Sequence, residues 1–331
     1  MTAATTTAPE RRTFGVADVV RDNAWTLGLI AFFVVLLALT KVIQPSYGVS
    51  GIQNLAIAVL PLALAAVGQA IVVIAGGIDL SIASMMALTS VVAATQMKDQ
   101  PTEVTVVVAI GVVALGLVLG LVNGGLVVIT RVPDIVVTLA MSFVWAGFAL
   151  LVLNVPGGAG AVWLKDLAKG FVGIDWIPKP ALVLIIIVAV VWIPVRRSRL
   201  GLSIYAIGSS QLAAFRSGVS VGRTKIAAYM LTGLFSACAG LALVGTTSVG
   251  TPLPGGYTLL SVAAIVLGGV SLAGGRGGIV GPIVAVMILS LMQTDMTFLG
   301  VNPNLATVAQ GAILIGVVML GSLTQLRRNR R

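Results

Sequence analysis

Apolar residues run through this chain in long blocks separated by short polar stretches. Ten blocks stand out: 24–43, 55–75, 81–97, 104–130, 135–155, 181–195, 226–249, 257–273, 279–299 and 305–323. A run of about 20 apolar residues matches the hydrocarbon thickness of a bilayer when it is helical. The pattern predicts an all-α, polytopic membrane protein with about ten transmembrane helices, several of them short enough to be tilted or broken. Residues 24–323 then form one transmembrane domain. Residues 1–23 form an N-terminal tail and 324–331 a basic C-terminal tail.

Composition sharpens this picture. Of 331 residues 58% are hydrophobic and 9% charged, with a mean hydropathy of +1.10, against roughly 25% charged in an ordinary soluble domain. The net charge of +10 does not indicate nucleic acid, because the basic residues lie between apolar blocks and are not interleaved with aromatics. They read as topology signals. With the N-terminus inside and ten crossings, the 20 basic residues divide fifteen to five. The inner fifteen are Arg11, Arg12, Arg21, Arg131, Arg196, Arg197, Arg199, Arg216, Arg223, Lys225, Arg276, Arg327, Arg328, Arg330 and Arg331. The outer five are Lys41, Lys98, Lys165, Lys169 and Lys179. This is the asymmetry of the positive-inside rule, and merging any two blocks would invert it downstream. Both termini are therefore expected in the cytoplasm. Residues 1–23 lack the short apolar core and cleavage site of a secretory signal.

Gly116, Gly120 and Gly124 recur at intervals of four in the fourth block. Small residues on one helical face let helices approach closely, and plain packing is the preferred reading. Blocks two to five and seven to ten share a weak symmetry. The turn Val132-Pro133-Asp134-Ile135 answers Asn302-Pro303-Asn304-Leu305, each with proline where a helix can begin. The two halves start from opposite faces, so the repeat would be inverted, as in many transporters.

Candidate chemistry is sparse. No G-x-x-x-x-G-K-[ST] phosphate loop is present, and the glycines from Gly268 to Gly278 lack the following Lys-Ser/Thr. The chain has no histidine and one cysteine, Cys238, so it offers neither the usual general base nor a disulfide or thiolate cluster. No covalent catalysis is expected of it. Ala75-Gly76-Gly77-Ile78-Asp79-Leu80-Ser81 breaks an apolar region with two glycines and an acid. Asp79 either faces a solute path or, the preferred reading, caps the helix that begins near Ser81. Asn54, Gln69, Asn123 and Thr138 join Asp79 and Tyr257 as candidate path residues, with helix-to-helix hydrogen bonding as their default role. Gln293 and Gln310 are further amides within the blocks, and Asp295, near the end of the ninth block, either joins the path or, the preferred reading, lies at the outer interface. The absence of a buried charged cluster favours a neutral cargo.

The most informative polar stretch is 196–225. Ser209 is placed to cap a short helix from Ser210 to Ser217, and Gly218 to end it. Such a helix on a basic loop suits a lever inserted into a peripheral motor, or equally an interfacial helix held by anionic lipid.

Several motifs resemble the permease subunits of the ribose, xylose and galactose class of bacterial ATP-binding-cassette importers. Gly68-Gln69 followed by Gly76-Gly77-Ile78-Asp79-Leu80-Ser81 is similar to the most recognisable of that family's signatures. Gly120-Leu121-Val122-Asn123-Gly124, Val132-Pro133 and Val137-Thr138-Leu139 follow it. Gly208, Ala213-Ala214 and Ser217-Gly218 fall where the family has its cytoplasmic coupling loop, and Gly256-Tyr257 with Val266 to Gly277 resembles its eighth-span signature. The resemblance implies a bacterial inner-membrane permease that pairs as a homodimer or heterodimer, with solute crossing at the dimer interface. It implies two cytoplasmic ATPase subunits that hold the ATP and magnesium, and an external solute-binding protein that delivers a sugar. It assigns ATPase coupling to Ser209, Ser210, Gln211, Leu212, Ala213, Ala214, Phe215, Arg216, Ser217 and Gly218. The chain departs from the family pattern at Thr258, where an acid is usual, and at Asp134, where an apolar or aromatic residue is usual. It also departs at Gln293-Thr294-Asp295 and in the order Phe215-Arg216. The rival readings are an ion-coupled secondary carrier, for which Asp79 and Asp295 are the sparse carboxylates, and an importer permease for amino acids or another small polar solute.

Overall fold

The computed structural model describes residues 23–253, 255–302, 305, 308, 311 and 312. The expected tails, Gln310 and nearly all of the tenth block lie outside the described residues. In chain order the helices are α1 (Ala24–Ile43), α2 (Val49–Ile74), α3 (Ile82–Met97), α4 (Thr102–Thr130), α5 (Asp134–Val152) and α6 (Val162–Ala168). They continue with α7 (Lys179–Arg197), α8 (Arg199–Ser209), α9 (Gln211–Arg216), α10 (Val221–Thr247), α11 (Tyr257–Leu267) and α12 (Val280–Phe298). Between α6 and α7 a small antiparallel hairpin, β1 (Phe171–Val172) and β2 (Ile174–Pro178), interrupts the helical pattern.

Among the described residues seven helices, α1, α2, α4, α5, α7, α10 and α12, are long and apolar enough to cross a membrane. The remaining two apolar helices, α3 and α11, have 16 and 11 residues, or about 24 Å and 16 Å at 1.5 Å per residue. Each is shorter than the hydrocarbon core of about 30 Å. Irregular chain makes up the length: 75–81 precedes α3, while 248–256 precedes α11 and 268–279 follows it. The expected eighth block, 257–273, is therefore helical only to Leu267. Glycine is the reason. Gly269 takes a positive φ of 82°, and Gly269 and Val270 donate back to Val266 and Ile265, a glycine-terminated C-cap. Gly76, at φ +82°, ends α2 in the same way.

Starts follow local chemistry. Pro101, Pro133 and Pro178 sit at the N-cap positions of α4, α5 and α7, where the absent N–H leaves no helical bond unmade. Asp134 in the first turn of α5 meets the positive end of that helix dipole.

The centre of the bundle is α2, apolar on every side and buried at every position from Val59 to Ile74. Helix α10 lies along it and also packs on α3 and α4, while α2 packs on α11 and α12. In turn α3 meets α4 as α11 meets α12. The described helices of blocks two to four and of blocks seven to nine thus exchange partners in a matching pattern. Helices α1, α5 and α7 are peripheral, and most of their large apolar side chains face outward, where lipid replaces a protein partner. Loop contacts sort the basic residues to two ends. Arg131, Arg196, Arg197, Arg199, Arg216, Arg223, Lys225 and Arg276 share one, joined by the Lys225–Asp134 and Tyr205–Gly277 contacts. Lys98, Lys165, Lys169 and Lys179 lie at the other, where Gly157 pairs with Gly250 and Trp163 bonds Thr105.

The glycine repeat in α4 is the seam with α10. A Cβ on Gly120 would overlap the Tyr229 carbonyl, and one on Gly124 would lie 2.9 Å from the Ile226 Cα. Gly125, one position further round, faces open space. Gly120→Val should therefore lower thermal stability in detergent by about 1–3 kcal/mol or more, the usual range for overpacking. Gly125→Ala should be neutral or raise stability by up to about 1 kcal/mol through helix propensity. Melting curves of the two purified variants check the contrast.

Candidate functional site

The break between α2 and α3 carries the densest polar network among the described residues. The Asp79 carboxylate accepts through Oδ1 from the Ser81 amide at 2.8 Å and from the Ser81 hydroxyl at 2.6 Å. Ser81 Oγ accepts from Asn123 Nδ2 at 2.7 Å, and Asn123 Oδ1 accepts from Trp145 Nε1 at 3.1 Å. One polar relay thus runs from the break through α4 to α5. The Leu80 amide donates to Thr138 Oγ1 at 3.1 Å, and the same hydroxyl lies 2.9 Å from the Asp134 carbonyl and 3.2 Å from that of Ile78. From α11, Thr258 Oγ1 accepts from the Ala83 amide at 3.2 Å and lies 3.4 Å from the Leu80 carbonyl. These side chains supply the partners that a regular helix would have given the backbone.

Asp79 fastens the turn by bonding Ser81, while Ser81 itself occupies the N-cap position of α3 and Thr258 satisfies the amide two residues on. Gln69, Asp79, Asn123 and Thr138 have no exposed surface, so four of the candidate path residues are sealed inside the bundle in this conformation. Asp79, Asn123 and Thr138 converge on the break. Gln69 does not join them: neither amide atom has a hydrogen-bond partner among the described residues. Asn54 is exposed on α2, and Tyr257 is half-buried at the start of α11, beside Thr258.

Immediately next to the break lies a group that the sequence did not bring together. Lys225 of α10 pairs with Asp134 of α5 at 2.8 Å, each side chain 14% exposed. The Tyr229 hydroxyl, also on α10, lies 3.0 Å from Asp134 Oδ2 and 3.3 Å from the Ile78 carbonyl. The departure at Asp134 from an apolar residue thus has a partner. The available signal was that Asp134 and Lys225 flank two blocks at the same basic end.

The stretch 196–225 differs from expectation in three respects. First, α7 continues to Arg197 and α10 starts at Val221, so the irregular part is shorter than expected. Second, an extra helix, α8, fills it, capped by Ser198, which accepts from Leu200 and Gly201 amides. Third, the cap of the next helix is Ser210, accepting from Ala213 at 3.3 Å. Ser209 instead ends α8, where its hydroxyl donates to the Tyr205 carbonyl. Gly218 does end α9, at φ +83°, with Gly218 and Val219 bonded back to Phe215 and Ala214. Within 209–218 only Ala214 is buried, and Leu212 and Phe215 are 61% and 69% exposed. Their i, i+3 spacing puts both on one face.

Helix α8 ties this exposed element to the interior. Gly275 donates to the Ile74 carbonyl at 2.9 Å, and a Cβ on Gly208 would overlap that carbonyl. Burial raises the Tyr205 phenol from its ordinary value, against the opposite pull of Arg196, and its hydroxyl donates to the Gly277 carbonyl at 2.9 Å. Helix α8, which leads directly into α9, is thus in contact with the end of α2 and with the glycine-rich stretch 268–278.

Short apolar helices preceded by irregular chain inside a polytopic bundle are an arrangement found in many membrane transporters. Residues 51–318 match the family described as branched-chain amino acid transport system / permease component, and the chain belongs to that family. It is similar to the ribose import permease protein of Escherichia coli (strain K12), 33% identical over 313 residues, covering 92% of this chain and 96% of that protein. It is also similar to the autoinducer 2 import system permease protein of Escherichia coli (strain K12), 28% identical over 321 residues, covering 92% and 94%. No solved structure matches the chain.

Removing either member of the Lys225–Asp134 pair strands a half-buried charge, which costs more than the pair contributes. Asp134→Leu and Lys225→Met should each lower stability, and the double variant should lose less than the sum. The coupling energy should fall in the range of about 0.5–3 kcal/mol. A thermal-unfolding double-mutant cycle in detergent measures it, and strict additivity would show that the two side chains do not stabilise each other.

Proposed function

We propose that this chain is the transmembrane permease subunit of an ATP-binding-cassette importer, carrying a small neutral solute of the monosaccharide type across the bacterial inner membrane. The observation that carries the reading is the exposed α9, which presents Leu212 and Phe215 at the basic end of the bundle and is joined through α8 to the helix break. Two relatives that align over nine-tenths of the chain are named as import permeases for ribose and for autoinducer 2, which supports a sugar-like cargo.

In this reading the basic end faces the cytoplasm, in keeping with the positive-inside rule. A pair of separate ATPase subunits, holding ATP and magnesium, grips α9 on each of two permease subunits, and an external binding protein delivers the solute. ATP does its work by binding one arrangement of the ATPase pair better than the other, and the difference is transmitted to the permease as a choice between two packings. Residues 209–218 are the coupling element. The junction of Gly208, Ile74 and Gly275 is the fulcrum. With Asp79 bonded through Oδ1 to Ser81 and Asp134 paired with Lys225, a path shaped for hydroxyls rather than charges fits the cargo.

The test is co-purification of the chain with its ATPase and measurement of solute-stimulated ATP hydrolysis. Burying a phenylalanine contributes about 1.5–3 kcal/mol, so Phe215→Asp should weaken docking roughly tenfold to a hundredfold and abolish stimulation, with membrane insertion unchanged. Gly208→Val should leave the ATPase bound yet unresponsive to solute. Full stimulation in Phe215→Asp, or protease access to α9 only from outside the cell, would overturn the reading.

A further inference from the structure

Helix α7 rests on α2, and α12 rests on α1 and α2, which leaves a gap between α7 and α12. The gap is a groove of about 630 Å³, lined from α7 by Leu184, Val188, Trp192 and Arg196 and from α12 by Val280 and Ile283. The four α7 residues recur every fourth position, so they form one stripe along the helix. From Leu184 to Arg196 that stripe rises about 18 Å, close to the depth of about 15 Å that one leaflet contributes to the hydrocarbon core. Beyond Leu184 the groove continues, through Leu184, Ile185 and Ile283, into a second cavity of about 310 Å³ with no charged residue in its lining.

Three features set this groove apart from ordinary lipid-facing surface. Its charged end carries two arginines, Arg196 and Arg197, and neither makes an ion pair among the described residues, where the pairs are Lys179–Asp166 and Lys225–Asp134. One turn deeper, Trp192 is 2% exposed, and its indole N–H has no hydrogen-bond partner among the described residues. An unpaired buried donor costs free energy that an incoming acceptor recovers. Deeper still, the lining is aliphatic.

We infer that this groove is a binding site for an anionic glycerophospholipid, with the phosphate at Arg196 and Arg197 and an acyl chain along Val188 and Leu184. The order of chemistry down the stripe is the order within such a lipid: anionic phosphate outermost, ester oxygens next, hydrocarbon last. Trp192 lies at the level of the ester oxygens. Arginine supplies the planar, bidentate fork suited to a phosphate, and basic pockets between membrane helices on the cytoplasmic side are a recognised setting for acidic headgroups. The chain's own C-terminal residues fit poorly as occupants of the charged end, since 313–331 contain four arginines and no acid.

The experiment is native mass spectrometry of the full-length chain titrated with dioleoyl phosphatidylglycerol and, separately, dioleoyl phosphatidylcholine. Wild type should retain the anionic lipid at least tenfold better. The Arg196→Gln/Arg197→Gln variant should lose that preference, while Arg223→Gln, a basic residue at the same end but outside the groove, should keep it. Leu184→Trp with Val188→Phe fills the groove without touching charge and should abolish retention, which serves if the arginine variant inserts badly. Equal retention of both lipids by wild type, or an unaltered preference in both groove variants, overturns the proposal. So does a disulfide formed in a Cys238→Ala background between Val188→Cys and either Val16→Cys or Val318→Cys, because the chain would then fill its own groove. None of these readouts depends on transport, so they stand or fall apart from the importer function.

Discussion

A polar backbone group inside a bilayer has no water to bond, so every departure from helix at that depth must be satisfied by protein. Around the break at residues 75–81 this demand is met by Asp79 itself and by side chains from α5, α10 and α11, while Asn123 of α4 bonds the Ser81 hydroxyl. Thr138 and Thr258 serve the backbone amides of Leu80 and Ala83, and Asn123 holds the Ser81 side chain. A polar residue in such a place has two claims on it, the backbone and the solute. Here the backbone has the first.

The same economy links the break to the exposed end of the bundle. Tyr229 and Asp134 touch the break from one side, Gly275 and Gly208 close on the end of α2 from the other, and α9 follows α8 directly. Close-packed contacts of this kind have few intermediate arrangements. In the proposed coupling, an element that moved them would switch the break between packings rather than bend it gradually. The peripheral helices α1 and α7 take little part in that network, and the outward faces of α1, α5 and α7 are left to lipid.

Much of the outline is legible in the chain itself. Runs of apolar residues located every described crossing, because the hydrophobic cost of leaving lipid acts on each segment independently of the others. Gly116, Gly120 and Gly124 announced a helix seam, and Gly218 a helix end, since both depend on the missing Cβ at a fixed spacing or a positive φ. From sequence Asp79 reads as the cap of α3, but it bonds Ser81 in the turn before the helix, and Ser81 takes the N-cap position. The helix cap at Ser210 rather than Ser209 was not legible, because adjacent serines offer the same chemistry and the end of α8 decides between them.

Sequence by itself determined what depends on neighbours along the chain: span positions, the division of basic residues, caps of proline and glycine, and the family signature. Tertiary structure alone decided what depends on residues far apart. It paired Lys225 with Asp134, 91 positions away, brought Thr258 to the start of α3 across 175 positions, and opened a groove beside Arg196. It also sealed Gln69, Asn123 and Thr138 from solvent. A hydrophobic pattern fixes which segments enter the membrane, but the same pattern admits many helix arrangements. The choice among them rests on side-chain shape and on which buried polar group meets which, and these are properties of contacts rather than of composition.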